Sequence, residues 1–89
     1  MILHRKVTVT DPQGLHARPA SMFVKIAVRF ESEVTVKKGP DAVNGKSIMG
    51  LMTLAASQGS ELEIEVSGPD AEKAIEILAQ FISTGKEMV

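Results

Sequence analysis

The chain contains no cysteine. It therefore holds no disulfide, no thiolate metal site and no cysteine nucleophile. Tryptophan and tyrosine are also absent, and only three phenylalanines occur in 89 residues. The aromatic platforms on which single-stranded bases stack are missing with them. There is no basic surplus: ten Lys and Arg stand against eleven Asp and Glu, for a net charge of −1. Neutralising a phosphate backbone needs a basic surplus or stripe, so no nucleic-acid partner is expected. No run approaches the ~20 apolar residues of a membrane span, so no membrane insertion is expected. Met1-Ile2-Leu3-His4-Arg5-Lys6 is too short an apolar start for a signal peptide. The expectation is a cytoplasmic protein.

What is present is an ordinary globular balance, 44% hydrophobic and 24% charged. No repeat, low-complexity tract or linker interrupts it, and 89 residues suit one domain spanning 1–89. With no long apolar edge or coiled-coil seam, a monomer is the default.

Punctuation divides the chain into seven short segments. Residues 2–9 end in Val7-Thr8-Val9-Thr10, the alternation of a half-buried strand. Asp11-Pro12-Gln13-Gly14 is a turn. From Ala17 to Phe30 the period changes. Ala20, Phe23, Val24, Ala27 and Phe30 fall on one helical face, and Pro19 sits in the first turn, where a missing N–H costs nothing. Glu33 to Lys37 alternates as a second strand, Lys38-Gly39-Pro40-Asp41 turns, and Ala42-Val43-Asn44 reads as a third strand. Ser47 is placed to cap a short helix through Leu54. Leu62-Glu63-Ile64-Glu65-Val66 is the cleanest strand. Asp70 stands at the N-cap of a last helix with Ala71, Ala74, Ile75, Leu78 and Ile82 as its apolar stripe. The order β-α-β-β-α-β-α predicts an α+β open-faced sandwich, a four-stranded antiparallel sheet with three helices on one face.

The chemistry concentrates in Gly14-Leu15-His16-Ala17-Arg18-Pro19-Ala20, which joins a turn to a helix start. The unpaired N–H groups of a first turn and the positive end of the helix dipole make an anion site. Arg18, two residues on, is suited to gripping phosphate oxygens with parallel hydrogen bonds. A neutral imidazole nitrogen can attack phosphorus and hold the group as a phosphoramidate, and the transfer needs mainly positioning and charge stabilisation. By spacing alone, a His and an Arg at a helix start are more often a cap and a solvated charge. His4 reads as a solvated strand residue.

The same heptapeptide resembles the active-site signature of HPr, the histidine-containing phosphocarrier family of the bacterial phosphotransferase system. Lys46-Ser47-Ile48-Met49-Gly50-Leu51 resembles that family's regulatory-serine segment, and the likeness covers essentially the whole chain. The resemblance implies that His16 is phosphorylated on Nδ1 by phospho-enzyme I and passes the group to IIA components, with Arg18 steadying it. It implies a carrier without independent turnover, hence no enzyme in its own right, and no cofactor. It also implies Ser47 as the substrate of an HPr kinase/phosphorylase. Read without the resemblance, Ser47 is a plain N-cap. Met22, Ile48, Met49 and Met52 are the expected partner-binding residues, because flexible, polarizable methionine suits a surface that meets several partners; Met49 and Met22 are expected to be the most exposed. The plainer reading is that all four complete the core.

The tract Gly39 to Gly45 is rich in turn residues and is expected to lengthen or loosen the middle hairpin. Gln13 stands where small polar residues are familiar. Gly45-Lys46-Ser47 looks like the end of a P-loop, but five residues separate Gly39 from Gly45 where that motif has four. A hydrolase using His16 as base lacks a paired carboxylate or a metal-ligand cluster. The alternative that stays open is a regulatory HPr-like module acting through Ser47 and protein contacts only.

Overall fold

The computed structural model describes residues 1–86. Seven elements follow in the order β1 (Ile2–Thr8), α1 (Ala17–Ala27), β2 (Glu33–Lys38), β3 (Asp41–Asn44), α2 (Ile48–Thr53), β4 (Glu61–Ser67) and α3 (Ala71–Thr84). The strands form one antiparallel sheet in the order β1-β4-β2-β3, so β4 is paired on both sides and β1 and β3 are edges. The three helices pack on one face, as the periodicities predict.

Alternation decides which face is buried. Leu62, Ile64 and Val66 of β4 and Val34 and Val36 of β2 point to the helices and are buried. Against them lie Ala20, Phe23, Ile26 and Ala27 of α1, Leu51 of α2, and the α3 residues Ala74, Ile75, Leu78 and Ile82. On the open face the charges pair among themselves. His4 Nδ1 lies 2.7 Å from Glu63 Oε2, so His4 is exposed but not alone. Lys37 Nζ donates to Glu65 Oε1 at 2.7 Å. That contact holds the Glu65 carboxyl below its ordinary value and raises Lys37.

Several local expectations need correction. The stripe of α1 includes Ile26, buried, whereas Val24 and Phe30 are only partly buried. The helix ends at Ala27 instead of Phe30. Its last turn tightens, with Arg29 N donating to Ile26 O and Phe30 N to Ala27 O. Asp70 occupies the α3 N-cap position without a side-chain cap bond. Its carboxylate instead accepts from the backbone N–H groups of Glu31 and Ser32 and from the Ser32 hydroxyl, which closes the exit from α1. The Gly39–Gly45 tract does not loosen the middle hairpin. Lys38 pairs with Asp41 across a two-residue turn of Gly39 and Pro40. Gly45 is there for close approach: a Cβ on it would lie 2.4 Å from Val34 Cγ1.

Candidate functional site

The segment between β1 and α1 is pinned at both ends. Asp11 Oδ1 accepts the Gln13 N–H at 2.8 Å and Asp11 O accepts the Gly14 N–H at 2.9 Å, an Asx turn laid over a β-turn. Gly14 has φ +76°, and a Cβ there would meet the Ala56 carbonyl oxygen at 2.4 Å, so only glycine fits. That same carbonyl accepts the Leu15 N–H at 2.7 Å, and Leu15 is buried. Turn and core together leave the next residue, His16, facing outward at the helix start.

His16 is the N-cap of α1 with extended backbone (φ −89°, ψ −171°), and its side chain makes no capping bond. The imidazole is thus free of the task that a residue at this position usually performs. Its backbone N–H goes to Gly14 O at 3.0 Å, and its carbonyl accepts the Ala20 N–H at 3.0 Å. Pro19 brings no N–H. The first turn therefore offers the N–H groups of Ala17 and Arg18 to a ligand. No acidic residue lies in that turn to compete. Arg18 is exposed and has no hydrogen bond or ion pair among the described residues. His16 Nε2 lies 3.6 Å from Asp11 Oδ1, with both side chains partly exposed. His16, Arg18, Pro12, Pro19, Met22 and Phe81 line one open cavity of about 470 Å³. Such a site can receive an anion with three equatorial oxygens next to a nitrogen nucleophile.

Ser47 caps α2 as expected, its Oγ accepting the Gly50 N–H at 3.0 Å. Lys46 reaches back from the preceding turn, and its Nζ donates to Phe30 O at 2.8 Å. Met22 on α1 and Ile48, Met49 and Met52 on α2 are all exposed, so they do not complete the core. Met49 is the most exposed of the four at 74%, but Met22 at 40% is no more exposed than Met52. Only Leu51 of α2 is buried. Sequence reasoning passed over Asp11, the Ala56 carbonyl and the exposed Val28 that ends α1. Asp11 carried a usable signal, because Asp at the head of a Pro-Gln-Gly turn is the residue whose side chain accepts an N–H two positions on.

A family profile described as the PTS HPr component phosphorylation site matches residues 3–84. The chain belongs to the HPr family. It is 43% identical over 82 residues to phosphocarrier protein HPr of Neisseria meningitidis, covering 92% of each chain. It is 46% identical over 81 residues to the HPr-like protein Crh of Bacillus subtilis, covering 91% of this chain and 95% of Crh. The structure resembles that of HPr from Bacillus anthracis, with a TM-score of 0.87 at 43% identity over 91% of this chain and 96% of that one. It also resembles one chain of an HPr dimer from Thermoanaerobacter tengcongensis, with a TM-score of 0.74 at 42% identity, covering 89% and 91%. The HPr family is one of phosphocarriers in the phosphotransferase system, and the loop from Gly14 to Ala20 lies within the matched span, near its start.

Proposed function

We propose that this protein is a phosphoryl carrier in which His16 accepts a phosphoryl group from phospho-enzyme I and donates it to IIA components. One observation carries the reading. His16 occupies a helix N-cap without capping it, beside the unengaged N–H groups of Ala17 and Arg18 and an uncommitted guanidinium. The lone pair of an imidazole nitrogen forms the P–N bond as the bond to the donor breaks. The developing charge falls on oxygens that face these donors. The site is shallow, so the group is held long enough to move and is open to the next acceptor. Catalysis of the exchange belongs to the partners, and the chain turns over nothing by itself. Met22, Ile48, Met49 and Met52 form the docking surface, and the protein works in the cytoplasm as a monomer.

Incubation with phosphoenolpyruvate and enzyme I tests the reading. The expected product carries one acid-labile, alkali-stable phosphate on His16, and His16→Ala carries none. Unreduced labelling of His16→Ala would sink it.

We also propose Ser47 as a site of regulatory phosphorylation by an HPr kinase/phosphorylase. A phosphate there adds about −1.5 to −2 charges at a helix N-terminus, which the helix tolerates. The cost falls on partners that must dock beside it. Ser47→Asp, which keeps a capping oxygen, is expected to slow phosphorylation of His16 by enzyme I in a stopped assay; an equal rate counts against it. The likeness to the HPr-like protein Crh supports a second reading, a regulatory module that works through Ser47 and protein contacts only. Absence of any label on wild-type His16 in the same experiment would favour it.

A further inference from the structure

We propose that Asp11 is a positioning residue that selects which nitrogen of His16 carries the phosphoryl group, a role that rests on the carrier reading above. The geometry supports this in three steps. First, the Asp11 carboxylate is held in place. Its Oδ1 is fixed by the Gln13 N–H at 2.8 Å within the turn that also sets Gly14. Second, that oxygen faces the Nε2 edge of the imidazole at 3.6 Å, while Nδ1 has no hydrogen-bond partner among the described residues. A carboxylate beside Nε2 favours the tautomer with its proton there and leaves the lone pair on Nδ1. Third, a phosphoryl dianion on Nε2 would sit against the Asp11 carboxylate, a like-charge contact. On Nδ1, the ring nitrogen bonded to the carbon that carries Cβ, it is the width of the ring away from the Nε2 edge that Asp11 faces, and covalently nearer the His16 main chain at the start of α1. There the N–H groups of Ala17 and Arg18 and the helix dipole are favourable. In the transfer, the Nδ1 lone pair forms the bond to phosphorus as the donor bond breaks. The Nε2 proton stays on the ring, opposite Asp11, and balances the new charge.

Asp11→Asn separates this role from the turn, because an asparagine Oδ1 still accepts the Gln13 N–H. The first readout is the ¹⁵N shift pair of the His16 ring, recorded where the imidazole is neutral and requiring no partner protein. Wild type is expected to favour the Nε2–H tautomer, and Asp11→Asn to reduce that preference by about three- to tenfold, the scale of one partly exposed charge acting on a ring dipole. The second readout is the site of phosphate after treatment with phosphoramidate, a small donor. Wild type is expected to carry it on Nδ1, and Asp11→Asn to carry a measurable share on Nε2. Unchanged Gly14 and Leu15 amide shifts confirm that the turn survives. Equal tautomer ratios in the two proteins, or phosphate on Nε2 in wild type, overturn the proposal. Failure of the carrier reading shows separately, as wild type unlabelled by enzyme I with its ring tautomer still set by Asp11.

Discussion

Arg18 and Asp70 show two opposite uses of a charged side chain. Arg18 is exposed and uncommitted among the described residues, so it contributes nothing visible to folding and is available for a contact made only when phosphate arrives. A hydrogen bond to a charged group is worth about 1.5–3 kcal/mol. Arg18→Ala should therefore slow phosphoryl acceptance by about 10- to 100-fold in a rapid-quench assay, with an unchanged melting temperature. A comparable loss in both measurements would show that Arg18 is structural. Asp70 is committed entirely. The Ser32 hydroxyl, then the Glu31 and Ser32 N–H groups, hold its carboxyl below its ordinary value of 3.8. Because the folded value is depressed, the stabilisation is full above the unfolded value and is lost as pH falls through the folded one. Denaturant titrations should show wild type and Asp70→Asn differing most near neutral pH and converging below pH 3.8. Ser32→Ala should move the Asp70 titration, followed by NMR, back toward the ordinary value.

The elements were legible where the signal is local, and less so where it depends on distant partners. The alternation of Leu62 to Val66 and the stripe from Ala71 to Ile82 settle β4 and α3 from sequence alone, because burial on one face is written into the period. Ser47 is a cap for a reason visible three residues away. His16 and Arg18 were legible because the whole motif is contiguous. The strand order β1-β4-β2-β3 was not, since β1 and β4 meet across more than fifty residues. Nor was the end of α1, which is fixed by Asp70 some forty residues on. The segment after α2 belongs to the same class. Ala55 has φ +49°, the one non-glycine residue with positive φ among the described residues, and Lys38 Nζ donates to the carbonyls of Leu54 and Ala55 beside it. The left-handed conformation costs a non-glycine residue about 1–2 kcal/mol, against about 0.5–1 kcal/mol for the extra entropy that glycine loses on folding. Ala55→Gly is thus expected to stabilise the fold by up to about 1 kcal/mol, seen as a melting temperature higher by about 2–6 °C. A lower melting temperature would mean that the Ala55 methyl does more than its backbone costs.

At the scale of the whole molecule, stability is divided unequally between the sheet and α2. Ile64 and Leu51 are both fully buried, and truncating either to alanine removes a similar side chain, for which about 2–5 kcal/mol is the usual cost. A chain of this length has about 4–13 kcal/mol in all. Ile64 lies on β4, bonded to β1 on one side and β2 on the other, so β1 and β2 are both held in the sheet through its strand. Leu51 is the single buried residue of a six-residue helix, far shorter than a helix that holds itself, and α2 touches chiefly α1 and β3. Its loss can be relieved by opening α2 alone. Hydrogen exchange should separate the two: Ile64→Ala lowers protection across β1, β4 and β2 together, whereas Leu51→Ala lowers it in residues 48–54 and leaves β4 near wild type. The His16 loop should survive Leu51→Ala, because the Ala56 carbonyl that anchors it is itself followed by the pairing of Gly59 and Ser60 with Val9. Phosphate uptake by His16 from phosphoramidate, which needs no docking surface, would then persist, while modification at Ser47, whose helix has melted, would not, and transfer from enzyme I would slow with the loss of Ile48, Met49 and Met52 from its docking surface. If Leu51→Ala strips protection from β4 as fully as Ile64→Ala does, α2 is part of the same cooperative unit, and the two sites cannot be uncoupled through the core.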